Sequence, residues 1–246
     1  MGLVEHAVGG YAFLPGSAPY SSGVVALPGF ELVRATLQRP LPYRAGFALI
    51  DRHLAALGRP AQALCAIELR SPRPWSMAGF DAFNAEYRPL LEARGMLCDG
   101  VNPIARTNVA PMHAPPDEPS LHAFSYSVPA SVAPRTFVNA GSGELDGEQI
   151  IAAGDASPAG RRTKAAFVMG VMAQRLAGLG CQVDDITALQ VYCAHAPLDY
   201  LVDTVLAPLG VAANHAFHWC YSLPPVIGLE FEADMRGIRH ELRLMV

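Results

Sequence analysis

The chain has 246 residues, 51% of them hydrophobic and only 16% charged, with a formal net charge of −4. That balance gives ample core for one large domain or two of about 120 residues, and it excludes a disordered chain. It also argues against a nucleic-acid partner, which needs clustered cations, because the sequence holds a single lysine, Lys164, and scattered arginines.

So low a charge density predicts a covered surface, and a homo-oligomer is the ordinary cover. No segment reaches the roughly 20 apolar residues of a membrane span. The opening MGLVEHAVGG lacks a basic region followed by an apolar signal core, so a cytoplasmic location is expected. Five cysteines without a CxxC pair predict a reducing compartment and buried thiols rather than disulfides or zinc.

In chain order, the first 25 residues form a Gly-, Pro-, Ser- and Tyr-rich arm with no evident role. YRAGFALIDRHLAALG (43–58) places Phe47, Ile50, Leu54 and Leu57 at helical spacing and stops at a glycine. A strand-like LCAIELRS (64–71) follows, then a second helix, FDAFNAEYRPLLEARG (80–95), opened by an aspartate. The strands PIARTNVAP and LHAFSYSVP close the half.

The same order then returns. SPAGRRTKAAFVMGVMAQRLAGLG (157–180) predicts a helix with Ser157 as cap and Pro158 in the first position. ITALQVYCA (186–194), the aspartate-opened LDYLVDTVLAPLG (198–210), HAFHWCYSLPP and IGLEFEADMRG follow it. Both first helices end in L-A-x-L-G. The expected fold is α+β: two tandem modules, each a mixed or antiparallel sheet with two helices on one face. The boundary falls in PASVAP, 129–134, dividing 1–129 from 134–246.

Between them lies TFVNAGSGELDG (136–147). Its glycines are spaced G-x-G-x-x-x-G, carry Glu144 and Asp146 where a phosphate would lie, and open no helix. A dinucleotide site and a P-loop therefore both fail. A hairpin whose glycines let a ligand approach the backbone fits better.

Taken together, the Gly-rich strand end, LAGLG, ITALQVYCA, LDYLVDTVLAPLG and LPPVIGLEFEADMRG resemble the RidA/YjgF family over 136–238. The first half, about 30–128, resembles a more diverged copy. The resemblance implies a chorismate-mutase-like fold and trimers or multiples of trimers. It also implies small-acid sites between modules, and hydrolysis of enamines or imines without metal or cofactor. The tandem arrangement most resembles enzymes acting on 2-aminomuconate and its substituted analogues.

By the same resemblance, Arg106 takes the carboxylate-binding role. The second-half counterpart falls at His215, and the acidic residue of the last strand matches Glu230, whose first-half counterpart falls near His122. Glu232, on the same face as Glu230, is the substitute if the register slips by one pleat. A composite site is expected, with Arg106 gripping a carboxylate through its planar fork. Glu230 would move protons between water and nitrogen. Asn108, Asn139, Gly141, Ser142 and His215 would complete it, and the second carboxylate anchor is left among Arg161, Arg162 and the hairpin amides.

No metal ligands are expected, because His215 and His218 face opposite sides of a strand. Cys193 and Cys220 read as structural thiols. A non-catalytic small-acid binder on this fold, or a chorismate-type hydrolase, are the rival readings.

Overall fold

The computed structural model describes residues 2–131 and 135–246. The chain opens with β1 (Val4–His6), β2 (Tyr11–Leu14) and β3 (Gly23–Ala26), then runs through β4 (Phe30–Pro42), α1 (Tyr43–Ala56), β5 (Leu64–Arg70), α2 (Met77–Glu92), β6 (Ala105–Pro111) and β7 (Ser120–Pro129). The remainder is β8 (Phe137–Gly143), β9 (Leu145–Asp146), β10 (Gln149–Ile150), α3 (Pro158–Gly178), β11 (Ala188–Tyr192), β12 (Phe217–Cys220), β13 (Ser222–Leu223), β14 (Glu232–Gly237) and β15 (His240–Leu244). The fold is mixed α+β. Part of the PASVAP boundary, 132–134, lies outside the described residues.

Two large sheets carry a shared four-strand order. One runs β13-β6-β5-β7-β4-β15 and the other β1-β2-β3-β8-β14-β11-β12, so β6-β5-β7-β4 in the first matches β12-β11-β14-β8 in the second. Each crossover, β5 to β6 and β11 to β12, is parallel, and the other core pairings are antiparallel. The halves are also stitched together. β3 of the arm pairs with β8, while the C-terminal β15 pairs with β4 of the first half.

Helices cover the outer faces. α1 and α2 bury Phe47, Ile50, Leu54, Phe83, Tyr87 and Leu91 against the first sheet. α3 buries Val168, Met172 and Leu176 against the second. As the sequence predicts, Ser157 caps α3, its hydroxyl accepting from Gly160 N at 3.1 Å, with Pro158 in the first turn. α2 differs, for its cap is Ser76, which accepts from Gly79 N, not an aspartate. The helix expected over 198–210 is instead a π-type turn (Leu201–Leu206) and a 3-10 stretch (Ala207–Asn214). Gly210, at φ 52° and ψ −127°, breaks the helical path there.

The inner faces meet across a layer that is apolar on one side, where Tyr11, Phe13, Leu32, Ala66, Ala105 and Ala140 pack, and ionic on the other. Arg34 grips Glu68 through both carboxylate oxygens at 2.6 and 2.8 Å. Arg236 and Arg34 both reach Glu241 on β15, at 3.0 and 3.3 Å. Burial alone would raise the Glu68 carboxyl, but the charge and hydrogen bonds of Arg34, helped by Arg236, hold it well below the usual range. Removing Glu68 strips buried Arg34 of its two-point partner and leaves it only the longer contact to half-exposed Glu241, so Glu68→Ala should cost about 3–5 kcal/mol in urea unfolding. A loss of the size of a surface pair, below about 1 kcal/mol, would contradict this role.

Candidate active site

β6 is bordered by β13 at Ala110 and Pro111 and by Ser21 of the arm at Ala105, so its edge is open over 106–109. β8 likewise loses β3 beyond Asn139. These two unpaired stretches lie side by side and form the wall of a cleft of about 170 Å³, lined among others by Tyr20, Phe80, Arg106, Asn108, Gly141, Ser142, Arg175 and Glu232. That is smaller than the roughly 300–1,000 Å³ of drug-sized sites and suits a small organic acid.

Arg106 and Asn108, two apart on β6, share one face, turned towards α2. Arg106 is 3% exposed; its Nη2 donates to Asn84 Oδ1 at 2.7 Å, and its Nη1 has no partner in the protein among the described residues. Four rings surround the guanidinium carbon, with centroids at 4.7 Å (Tyr20), 4.8 Å (Tyr87), 5.4 Å (Phe80) and 5.7 Å (Phe83). Burial lowers the pKa of Arg106, though an arginine stays charged. Asn108 accepts from Ser71 Oγ at 2.8 Å and keeps its buried Nδ2 without a protein partner. Both strand residues thus hold a buried donor in reserve.

The arm acquires its role here. Ser21 donates through its backbone N–H to Ile104 O and through its hydroxyl to Pro103 O, both at 2.9 Å, and Asn102 holds Pro19 O at 2.7 Å. Pinned this way to the approach to β6, the loop lays Tyr20 over Arg106.

The acidic residue of the cleft is Glu232 rather than Glu230. A Cβ at Gly141 would collide with Glu232 Oε1 and press on Thr107 Cα at 3.2 Å, so Gly141 is what lets the carboxyl lie against β8. Burial, and then the neighbouring Asp234 and Glu144, push the Glu232 carboxyl well above its usual pKa; Arg106 opposes this. Glu230 forms no part of the cleft. It pairs with Lys164, a 1%-exposed cation at the start of α3 that also donates to Asp155 O at 3.0 Å. The one-pleat difference has a local cause. Buried Glu144 accepts from Glu230 N at 2.6 Å and Phe231 N at 3.0 Å, anchoring the chain just before β14 and leaving Glu232 as the strand's first residue.

Two further residues of the expected site lie elsewhere. His215 is exposed, with Nε2 at 3.1 Å from Ile186 O. Asn139 points under the sheet, donating to Met172 O at 3.1 Å. Register also places the second-half counterpart of Arg106 at Phe217 rather than His215, since Ile67 pairs with Arg106 and Leu189 with Phe217. Arg162 is occupied by Asp203 at 2.7 Å and Asp199 O at 2.6 Å, and Arg161 does not line the cleft. His122 lies in the ionic layer, where burial and Arg70 push it down to about 3. Cys193 is buried and raised to about 11 by burial, donating to His195 O. Among the described residues no three metal-ligating side chains cluster. The residue missed altogether is Arg175, on α3.

A buried cation in an aromatic cage beside a buried carboxyl whose pKa is pushed up makes an anion-binding cleft on a mixed α+β scaffold. A family profile described as "2-aminomuconate deaminase CnbZ" matches residues 3–242, and the chain belongs to that family, a family of enzymes acting on a C–N bond. A 2-amino-5-chloromuconate deaminase from Comamonas testosteroni is 43% identical over 241 residues, 95% of either chain. Among solved structures, a chorismatase, 13% identical, covers 93% of this chain and 77% of its own with a TM-score of 0.46. The YjgF gene product from E. coli, also 13% identical, covers 43% of this chain and 81% of its own at 0.27. Scores of this size bear on neither site nor activity.

Folded Glu232 keeps its proton to higher pH than unfolded Glu232, so its contribution to stability is full below the ordinary glutamate pKa and lost as pH rises through the folded value. Glu232→Gln should therefore gain melting temperature relative to wild type as pH is raised from about 5 to about 9. Parallel curves for the two proteins would contradict a neutral buried carboxyl.

Proposed function

We propose that the protein hydrolyses a 2-aminomuconate-type enamine dicarboxylate, or a substituted analogue, to the 2-oxo/2-hydroxy dienoate and ammonia. Arg106 and Glu232 are the residues that carry the reaction. The observation that supports this reading is their convergence in one cleft of one chain: a caged cation with a donor to spare beside a buried carboxyl whose pKa burial pushes up. A non-catalytic binder needs the first and has no use for the second.

Arg106 holds the carboxylate next to the amino-bearing carbon, with Asn108 and the Gly141–Ser142 strand bordering it. Neutral Glu232 gives its proton to the enamine carbon, which leaves an iminium and a carboxylate. The carboxylate then takes a proton from water as oxygen adds to the iminium carbon. It returns that proton to nitrogen, ammonia leaves, and the proton released from the new hydroxyl restores the acid. One carboxyl therefore serves each proton transfer, and the net change is water for ammonia. No step draws on a metal or a redox group.

Within the same reading, the two halves are tandem RidA/YjgF-like modules, 1–129 and 134–246, acting in the cytoplasm. Apolar side chains left exposed, among them Leu198, Val202, Val211 and Ile227, are covered by contacts between copies in this reading. Light scattering should give a trimer or a multiple of trimers, and a monomer at micromolar concentration would refute that part.

For the chemistry, Glu232→Gln should lower kcat for ammonia release by about 10²–10⁴-fold. Arg106→Met should lower kcat/KM by about 10–100-fold, the worth of a charged hydrogen bond. Glu230→Gln, which unpairs buried Lys164, should lower the melting temperature and leave kcat largely unchanged. Wild-type kcat in Glu232→Gln would refute the assignment.

A further inference from the structure

Resting on the reading of the cleft as a deaminase site, we infer that Arg175 binds the distal carboxylate of the substrate and makes the enzyme selective for dicarboxylates. Three observations lead there.

The first is position. Arg175 projects from α3 around the unpaired end of β8, where its Nη1 donates to Ala140 O at 2.9 Å and lies 3.5 Å from Gly141 O. Those carbonyls belong to the β8 stretch against which Glu232 lies, and Arg175 lines the cleft with Arg106. Among the described residues its Nε and Nη2 have no acceptor in the protein.

The second is the lack of a counter-ion. Among the described residues, the buried cations other than Arg106 each have a carboxylate within reach: Arg34 and Arg70 have Glu68, Lys164 has Glu230, and Arg236 has Glu241 and Asp234. Neither buried Arg106 nor partly buried Arg175 forms an ion pair among the described residues. A buried guanidinium without a carboxylate is costly, and Arg106 shares its cavity with Arg175.

The third is charge balance. The cleft is lined by two guanidiniums, Arg106 and Arg175, and by one carboxyl, Glu232, whose pKa burial pushes up. A dicarboxylate gives each guanidinium a partner; a monocarboxylate leaves one of them without, which is how a site rejects an analogue lacking a charged end. Tyr20 and Glu232 lie near both arginines; in this inference Arg106 takes the carboxylate beside the reacting carbon and Arg175 the far one. Arg175 is thus a substrate-binding residue that sets chain length and charge.

The test uses two unreactive six-carbon dienes of equal length, muconate with two carboxylates and sorbate with one, titrated calorimetrically into wild type, Arg175→Gln and Arg175→Lys. Glutamine keeps donors for the Ala140 carbonyl while removing the charge, so lost strand capping is separated from lost ion pairing. Wild type should prefer muconate. In Arg175→Gln the Kd for muconate should rise by about 10–100-fold, with that for sorbate nearly unchanged, and Arg175→Lys should recover part of the preference. Equal weakening of both ligands, no preference in wild type, or no muconate binding at millimolar concentration would overturn the inference. Ammonia release separates it from the reading beneath it. An active wild type with unchanged KM in Arg175→Gln sinks the clamp alone. A wild type that releases no ammonia but keeps the Arg175-dependent preference sinks the deaminase reading alone.

Discussion

The cleft depends on the buried charge layer between the two sheets. Arg34, Glu68, Arg236, Asp234 and Glu241 span β4, β5, β14 and β15, so the layer joins residues far apart in sequence and fixes the distance between the halves. Without that fixed spacing, the open edge of β6 would not lie against β8, and Arg106 would not share a cavity with Glu232. The stitching of β3 onto β8 and β15 onto β4 adds backbone hydrogen bonds to the same constraint. Neither half can carry the site alone, because the cation comes from one sheet and the acid from the other.

The same interior treats charge in two opposite ways, and the contrast locates function. In the structural layer each guanidinium is matched by carboxylates, at a net worth that need not be large. A few residues away, Arg106 is surrounded by rings instead of acids, and Glu232 is pressed against a glycine where burial pushes its pKa up. Aromatic faces attract a cation without neutralising it. The cage therefore holds the guanidinium in place while leaving its charge available to a ligand. A purely structural core has no need of an arginine without an ion pair and a buried glutamate lining one cavity.

Much of the scaffold was legible because helical periodicity and capping are local. The residues of α1, and Ser157 and Pro158 at the start of α3, follow from spacing and from the orphan amides of a first turn. The order of helix, strand, second helix and strands in each half is read the same way, and it misses only the second helix of the later half, which Gly210 breaks. What escaped depends on partners distant in sequence. Glu230 and Glu232 share an alternation pattern, and only the grip of Glu144 on the two amides before β14 decides which faces the cleft. The resemblance puts the second-half counterpart of Arg106 at His215, whereas pairing with β11 moves that position to Phe217. Arg175 carries no local signal that sets it apart from the other polar residues of its helix. Its meaning arises where β3 stops short and leaves the carbonyls of β8 free. The arm lacked periodicity, so nothing local announced that it would pin Tyr20 over Arg106.

The register shift to Phe217 also bears on how many sites a chain can hold. If β12 repeated the chemistry of β6, a second cation would stand at 217 and a second amide at 219, but the residues are Phe217 and Trp219. Trp219 gives its indole N–H to Cys193 O at 3.1 Å while its ring stays 44% exposed. An open strand edge with aromatic side chains cannot grip a carboxylate, yet it suits contact with another apolar surface. One half thus supplies the anion-binding edge and the other a hydrophobic one, so the charge asymmetry between β6 and β12 leaves one cleft of this composition per chain.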